Sequence, residues 1–200
     1  MNDIIIIDNA VSIFFSNEIE KLLLEKDFSW YYRDDITYPN SALEKINQLH
    51  NKRSGFGNLM YDVNGGIGNF YSFFTPILLQ GLEKTNLHLT QITQVRSFLS
   101  LPLAITGSRV DKPHIDNPQP HMVGLYYVND SDGDTVIFQE SYNYMFDNFN
   151  DLKKFDVDNM PVLKSVTPKK GRLVIFNGKQ YHASTQPTIG PRCIINFNFI

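Results

Sequence analysis

From residue 90 onward the chain is a succession of short segments rich in Val, Ile, Phe, Tyr and Thr. Pro, Gly, Asn and Asp separate these segments, and such residues favour turns. The pattern predicts strands at residues 90–103, 122–128, 135–139, 163–167, 172–177, 181–184 and 192–199. Many short strands with turn signals between them favour a closed or double-sheet β architecture.

The first 93 residues show a different pattern, in which helices are expected. We predict a strand at residues 4–7, where four isoleucines follow one another. Ser16 has the form of an N-cap, for a helix that ends near residue 26 and buries one apolar face. Residues 41–44 read as a capping box, which predicts a short helix to about residue 50.

Residues 51–69 carry five glycines and are predicted to be a loop, or loops around a short strand. They contain no glycine pattern of a phosphate-binding loop, so we assign no nucleotide role to them. After this segment, Thr75 and Pro76 have the form of an N-cap and a first-turn proline. We therefore predict a helix from this point to about residue 85.

Composition limits the class of protein without naming a function. A chain of 200 residues with 42% hydrophobic and 13% aromatic content suits one packed domain, 1–200, without repeats or a linker. In this interpretation residues 1–93 support a β core formed by residues 94–200. The net charge of −3 offers no general attraction to nucleic acid or anionic membranes, so neither partner is expected.

Compartment and membrane association follow from equally simple features. Cys193 is the single cysteine, which excludes an internal disulfide and is compatible with a reducing, cytoplasmic location. Asp8 interrupts the apolar run at residues 4–7, which is too short for a signal-peptide core or a membrane span.

Three residues have the types and the spacing of metal ligands. His114 and Asp116 are two positions apart, so in an extended segment they point to the same face. His182 lies far along the chain and must come from another strand. Two imidazoles and one carboxylate are the protein ligands of a facial iron(II) site with open positions. Arg192, ten residues after His182, can offer a permanently charged fork to a carboxylate of a bound cosubstrate.

The sequence around these residues resembles the prolyl-hydroxylase branch of the 2-oxoglutarate/Fe(II) dioxygenases. The resemblance covers about residues 94–200, with its motifs in the family's order, and does not extend to residues 1–93. It rests on residues 112–118 (KPHIDNP), 123–129 (VGLYYVN), 133–138 (GDTVIF), 168–176 (PKKGRLVIF), 181–184 (YHAS) and 191–197 (PRCIINF).

The resemblance implies both a fold and a chemistry. The implied fold is mostly β with flanking helices, around a double-stranded β-helix core of the jelly-roll or cupin-like kind. The implied activity is hydroxylation of a substrate, coupled to oxidative decarboxylation of 2-oxoglutarate with Fe(II) and O₂. Related halogenases have a small residue where Asp116 stands, so the carboxylate favours hydroxylation. A peptidyl proline is the substrate that this branch suggests.

Other residues receive roles from the resemblance. Arg192 would pair with the far carboxylate of 2-oxoglutarate, and Tyr127 is a candidate to hydrogen-bond that carboxylate. The sequence leaves open whether Tyr126 or Tyr127 faces the site, because a register slip exchanges them. Asn196 shares a face with Arg192 and is a candidate to contact cosubstrate or substrate. The family often has a tyrosine about ten residues before His114, which is missing here.

Further residues near these motifs are expected to be structural or exposed. Arg96, Arg109 and Lys112 are interpreted as surface residues, although they could line a substrate mouth. His121 is interpreted as a loop histidine. The aromatic-rich residues 140–160 form a long connection, which either covers the substrate or packs on the barrel.

Two alternatives to a hydroxylase of peptides stay open. One is a dioxygenase of the same chemistry that acts on a small molecule or a nucleobase. The short spacing from His182 to Arg192 and the acidic balance disfavour the branch that demethylates nucleic acids. The other is a non-catalytic jelly-roll binding protein. The sequence leaves open the primary substrate, the stereochemistry and the oligomeric state.

Overall fold

The computed structural model describes residues 4–25, 28–36, 53–104, 108–143 and 159–200, which contain two helices and eleven strands. The helices are α1 (Ile13–Leu24) and α2 (Tyr71–Leu82). The strands are β1 (Ile5–Ile7), β2 (Tyr31–Arg33), β3 (Gly55–Asp62), β4 (Gly66–Ile67), β5 (Ile92–Ser100), β6 (Met122–Tyr127), β7 (Thr135–Ser141), β8 (Val162–Val166), β9 (Leu173–Asn177), β10 (Gln180–Ser184) and β11 (Arg192–Phe199). The prediction of a mostly β fold with flanking helices is confirmed.

Two antiparallel sheets face each other. The larger sheet has the order β1-β9-β6-β11-β5-β3-β2, with β4 paired to β3, and the smaller has the order β10-β7-β8. Apolar side chains of both sheets meet in one cluster between them, which includes Leu125 and Val174 from the larger sheet and Ile137 and Val166 from the smaller. The seven strands predicted after residue 90 are all present, within a few residues of their expected bounds.

Strand β11 shows how the larger sheet separates its two faces. Ile195 and Phe197 belong to the cluster that α1 and α2 cover on the outer face. Ile194 belongs to the cluster between the sheets, and Arg192 and Asn196 line a cavity there. Because side chains alternate along a strand, one buried strand both anchors the helices and supplies polar groups to the interior.

Helix α1 begins one turn before the predicted cap at Ser16. Ser12 is the N-cap, and its Oγ accepts a hydrogen bond from the Phe15 N–H at 3.2 Å. Ile13, in the additional turn, is largely exposed, so this turn lacks the apolar periodicity that marks a helix. Ser16 lies inside the helix instead, where its Oγ accepts a hydrogen bond from the Tyr126 hydroxyl at 3.1 Å.

Helix α2 also begins earlier than predicted, so the assignment of Thr75 and Pro76 to its start is wrong. The N-cap is Phe70, in a left-handed conformation with φ 67°, and Pro76 lies inside the helix. An interior proline costs about 3 kcal/mol, whereas each fully buried large apolar side chain contributes about 1.5–3 kcal/mol. Burial therefore decides where the helix runs. The fully buried side chains are Phe74, Ile77 and Leu78.

The glycine-rich residues 51–69 contain an eight-residue strand, β3, longer than the short strand that the sequence suggested. This strand pairs with β5, and a Cβ on Gly55 would lie 2.9 Å from the carbonyl oxygen of Leu99. At this position glycine permits close approach of two strands and does not mark a loop.

Two sequence predictions fall on parts of the chain outside the described residues. The helix at 41–50 lies there entirely, and so do residues 144–158 of the long aromatic connection. Among the helices that are described, none has the length and apolar character needed to cross a membrane.

Candidate metal centre

The three residues predicted as metal ligands lie together in the interior. His114 and His182 form an isolated antiparallel bridge, in which each backbone N–H donates to the other's carbonyl at 2.9 Å. His114 thus lies on a single bridge at the edge of β10 and not in a regular strand. One potential ligand atom from each of His114, Asp116 and His182 lies within 4.8 Å of the others. Folding therefore brings the distant His182 to the HxD pair.

Both imidazoles are oriented by backbone carbonyls. His114 Nδ1 lies 3.2 Å from the Lys112 carbonyl oxygen, and His182 Nδ1 lies 3.1 Å from that of Gln180. A hydrogen on each Nδ1 satisfies these contacts and leaves the Nε2 lone pairs available as ligands. Burial lowers the pKa of His182 to about 4 and also lowers that of His114. The two imidazoles are therefore neutral near pH 7, as metal ligation requires.

The carboxylate of Asp116 has polar partners on both oxygens. Asn196 Nδ2 donates to Oδ2 at 2.9 Å, and Arg96 Nη2 lies 2.9 Å from Oδ1. Burial alone would raise the pKa of Asp116, but the positive charge of Arg96, with smaller effects from the imidazoles and Asn196, holds it well below its ordinary value. Asp116 therefore stays ionised in the buried site.

The structure corrects the assignment of Arg96 to the surface. Its side chain is only 15% exposed and lines the same cavity as the three candidate ligands. Strand register explains its place, because Arg96 on β5 is the direct cross-strand partner of Asn196 on β11. Sequence reasoning missed this residue, since the pairing of β5 with β11 cannot be read from either segment alone.

The far end of the cavity is organised around Arg192, which is buried. Its Nε donates to the Gly133 carbonyl and its Nη2 to Thr135 Oγ1, both at 2.8 Å. The Tyr127 hydroxyl also donates to Thr135 Oγ1 at 2.8 Å. Thr135 thus accepts two hydrogen bonds, which leaves its own hydroxyl hydrogen to be donated elsewhere.

The question of which tyrosine faces the interior is settled by these contacts. Tyr127 lies between the sheets beside Arg192, whose Cζ is 5.9 Å from the centre of the tyrosine ring. Tyr126 lies in the cluster under the helices and donates its hydroxyl hydrogen to Ser16. The family's tyrosine before His114 is not replaced here by another tyrosine. In the segment before His114, the described residues that line the cavity are Ser100 and Asp111.

A buried charged cluster, also missed by the sequence reasoning, lies against this cavity. Asp111 Oδ1 accepts a hydrogen bond from Arg53 Nε at 2.7 Å, and both its oxygens accept from Gln186 Nε2. Burial raises the pKa of Asp111 to about 6, although Gln186 and Arg53 oppose the rise. The negative charge of Asp111 also acts on Arg192.

One cavity of about 160 Å³ joins the histidine–aspartate cluster to Arg192. The N-terminal region contributes to its wall, through residues of β2, β3 and the turn after β2, such as Arg33 and Asn58. No motif in residues 1–93 indicated a part in the site. The region does more than support the core, because its strands extend the larger sheet past β5.

Arg109 and His121 lie where the sequence predicted, at the surface and in a loop. Cys193 is buried under the helices, and burial raises the pKa of its thiol. Arg109 is exposed and pairs with Asp132. His121 precedes β6 and is buried against Gly178, where an added Cβ would lie 2.3 Å from the imidazole Nε2. His121 is not one of the described residues that line the cavity.

The donor set fits a divalent transition metal. Two free imidazole nitrogens and one ionised carboxylate meet in a buried, polar part of the cavity, and the three supply only part of an octahedral shell. The backbone carbonyls on both Nδ1 atoms and the Asn196 amide on Asp116 complete the outer contacts that metal sites require.

Comparison with known proteins finds likeness in structure and not in sequence. No protein-family model and no curated protein sequence matches this chain. Solved structures do match. One is a 2-oxoglutarate/Fe(II) oxygenase from Burkholderia pseudomallei, at 11% identity and TM-score 0.63, with 98% of this chain and 84% of that chain covered.

Two further similar structures have defined ligands or partners of their own. A prolyl hydroxylase from Trichoplax adhaerens, in complex with a peptide of hypoxia inducible factor, has 16% identity and TM-score 0.59 over 100% of this chain and 84% of its own. HygX from Streptomyces hygroscopicus, with nickel, 2-oxoglutarate and hygromycin B bound, has 14% identity and TM-score 0.59, covering 99% and 82%. These likenesses confirm the predicted double-stranded β-helix core.

Proposed function

We propose that this protein is a hydroxylase that depends on Fe(II) and 2-oxoglutarate. One observation carries the proposal: a His–Asp–His cluster with available Nε2 atoms shares a cavity with a buried, firmly held arginine. The resemblance of residues 94–200 to the prolyl-hydroxylase branch and the shared fold support it further.

His114, Asp116 and His182 would hold the metal. An Fe(II) ion with 2-oxoglutarate and O₂ supplies oxidative decarboxylation coupled to hydroxylation of a bound substrate. The chain's part is to keep both imidazoles neutral and to hold Asp116 ionised. The carboxylate at position 116 also occupies the place that a halide would need, which favours hydroxylation over halogenation.

Arg192 and Thr135 would bind the far carboxylate of 2-oxoglutarate. The guanidinium is fixed by Gly133 and Thr135, so it offers charge at a defined position. Thr135, which already accepts two hydrogen bonds, has a hydroxyl hydrogen to donate to the carboxylate. Tyr127 acts through Thr135 in this arrangement, because its own hydroxyl hydrogen is already donated.

Asn196 has a positioning role in this proposal. Its amide nitrogen donates to Asp116 Oδ2, which sets the carboxylate plane towards the imidazoles. The Oδ1 of Asn196 has no hydrogen bond among the described residues, so it is available to contact cosubstrate or substrate.

The first test is anaerobic titration of the metal-free protein with Fe(II) and 2-oxoglutarate, followed by the weak visible charge-transfer band of the chelate. We expect a band in the wild type that is lost in His182→Ala and retained in His88→Ala, a control at an exposed histidine. A folded protein that binds neither ligand would contradict the enzyme proposal and favour a jelly-roll binding protein.

The substrate class needs a separate experiment. We propose proline-containing peptides as the first candidates, on the basis of the prolyl-hydroxylase resemblance, with small molecules of the same chemistry as the alternative. Succinate release above the substrate-free rate, measured for matched peptides with proline or alanine, distinguishes them. Stimulation by small molecules alone would reject the peptide assignment and leave the reaction type intact.

A further inference from the structure

The two oxygens of Asp116 have different surroundings. Oδ2 accepts the hydrogen bond from Asn196, whereas Oδ1 lies 2.9 Å from Arg96 Nη2 and 4.0 Å from His182 Nε2. Since Oδ1 is close to an imidazole nitrogen that would share the ion, it is the oxygen that faces the metal position. Arg96 therefore lies on the metal side of the carboxylate and Asn196 on the other side.

Burial explains why Asp116 needs a cation when no metal is bound. The side chains of Asp116 and Arg96 are only 4% and 15% exposed. A carboxylate buried without an opposite charge is strongly destabilising. Arg96 supplies that charge on the oxygen that a metal ion would also use. Because the guanidinium and the metal are both positive, they compete for Oδ1.

The contact between Arg96 and Asp116 is one of charge without an aligned hydrogen bond. Arg96 Nη2 is buried and has no hydrogen-bond partner among the described residues, although it is 2.9 Å from Oδ1. The guanidinium also lies over the Phe98 ring, with Cζ 5.4 Å from the ring centre. Arg96 can therefore leave Oδ1 without breaking a well-formed hydrogen bond.

We propose that Arg96 is an exchangeable counter-ion, which neutralises Asp116 in the metal-free protein and leaves Oδ1 when the metal binds. The inference rests on the metal site of the proposed function and adds a role for a residue outside the ligand set. Arg96 stabilises the empty site and, by the same contact, weakens metal binding. Removing its charge reverses both effects.

Binding of Mn(II) to the metal-free protein, measured by calorimetry without 2-oxoglutarate, tests the exchange. We expect Arg96→Gln to bind Mn(II) about tenfold more tightly than the wild type, because a positive charge next to the ion is removed. Its thermal midpoint without metal falls, and its rise on adding Mn(II) is larger than in the wild type. Arg96→Lys keeps the positive charge that competes with the ion, so it is expected to bind Mn(II) within about twofold of the wild type.

The control is Arg172→Gln, which removes an arginine paired with Asp8 outside the cavity. We expect it to leave Mn(II) affinity unchanged. Equal or weaker Mn(II) binding by Arg96→Gln would overturn the exchange, since Arg96 would then have no effect or would position the ligand. If the folded wild type itself binds no Mn(II), the metal site fails and the proposed function fails with it.

A folding defect does not hide the answer. If Arg96→Gln is unfolded without metal, we expect added Mn(II) to fold it, as followed by circular dichroism, because the ion then supplies the missing charge. Failure to fold at saturating Mn(II), while Arg96→Lys behaves as the wild type, would count against the exchange.

Discussion

Two arginines, Arg192 and Arg96, line the same cavity and are held in opposite ways. Arg192 is fixed by two hydrogen bonds of 2.8 Å, to the Gly133 carbonyl and to Thr135. Arg96 lies 2.9 Å from the Asp116 carboxylate without an aligned hydrogen bond, and its guanidinium also lies over the Phe98 ring. A guanidinium locked by aligned hydrogen bonds presents a fixed fork to a ligand, whereas one held only by charge can exchange with another cation.

This difference divides the cavity into two ends with separate tasks. At one end the fixed Arg192 and Thr135 are suited to select a carboxylate. At the other end the histidine–aspartate cluster is suited to take a metal in exchange for Arg96. Substitutions near Arg192 are therefore expected to change the affinity for 2-oxoglutarate and to leave the affinity for the metal nearly unaltered. Substitutions in the histidine–aspartate cluster are expected to change the affinity for the metal.

The largest effect is expected for Asp116→Ala, which removes a proposed metal ligand and leaves Arg96 without its anion. We expect Mn(II) affinity to fall by at least about a hundredfold, with no measurable turnover of 2-oxoglutarate. Calorimetry and metal analysis of the purified protein measure this. Glu18→Ala, at an exposed carboxylate, is the control. Full activity in Asp116→Ala would mean that the metal assignment is wrong.

Arg192→Gln is expected mainly to weaken the binding of 2-oxoglutarate. Loss of a charge-assisted contact raises the half-saturating concentration of 2-oxoglutarate by about a hundredfold. Mn(II) affinity without 2-oxoglutarate stays within about threefold of the wild type, because Arg192 and the metal lie at different ends. Parallel loss of both affinities would contradict the division of the cavity.

Thr135→Val tests the hydroxyl hydrogen that the contacts leave available. Valine keeps the shape but can neither donate to the cosubstrate nor accept from Arg192, so the half-saturating concentration of 2-oxoglutarate rises by about tenfold. Metal binding is expected to stay unchanged. An unaltered constant for 2-oxoglutarate would show that Thr135 neither donates to the cosubstrate nor aids its binding by holding Arg192.

The smallest effect is expected for Tyr127→Phe, because the tyrosine hydroxyl donates to Thr135 and acts through it in the proposed arrangement. We expect the half-saturating concentration to rise by no more than about threefold and the free energy of unfolding to fall by about 1 kcal/mol. Tyr126→Phe is the matched control, since its hydroxyl bonds to Ser16 under the helices and is expected to affect stability alone. A larger effect for Tyr127→Phe than for Thr135→Val would indicate direct contact with the cosubstrate.

Local sequence patterns predicted much of the β core. Alternating apolar residues and turn residues marked the strands after residue 90, because these signals lie within each segment. The predicted starts of α1 and α2 were wrong because local patterns misplaced both. Ile13 is exposed in the first turn of α1, and Pro76 is tolerated inside α2 because burial outweighs its cost.

The sequence by itself determined the chemistry available to this protein: two histidines and an aspartate with ligand spacing, an arginine after the distal histidine, and a β core to hold them. Only the tertiary structure decided which partners they have. It paired β5 with β11, so that Arg96 meets Asp116, and it placed Thr135 between Tyr127 and Arg192. Residue types and spacing are local properties of a chain, whereas such contacts depend on strand register between distant segments.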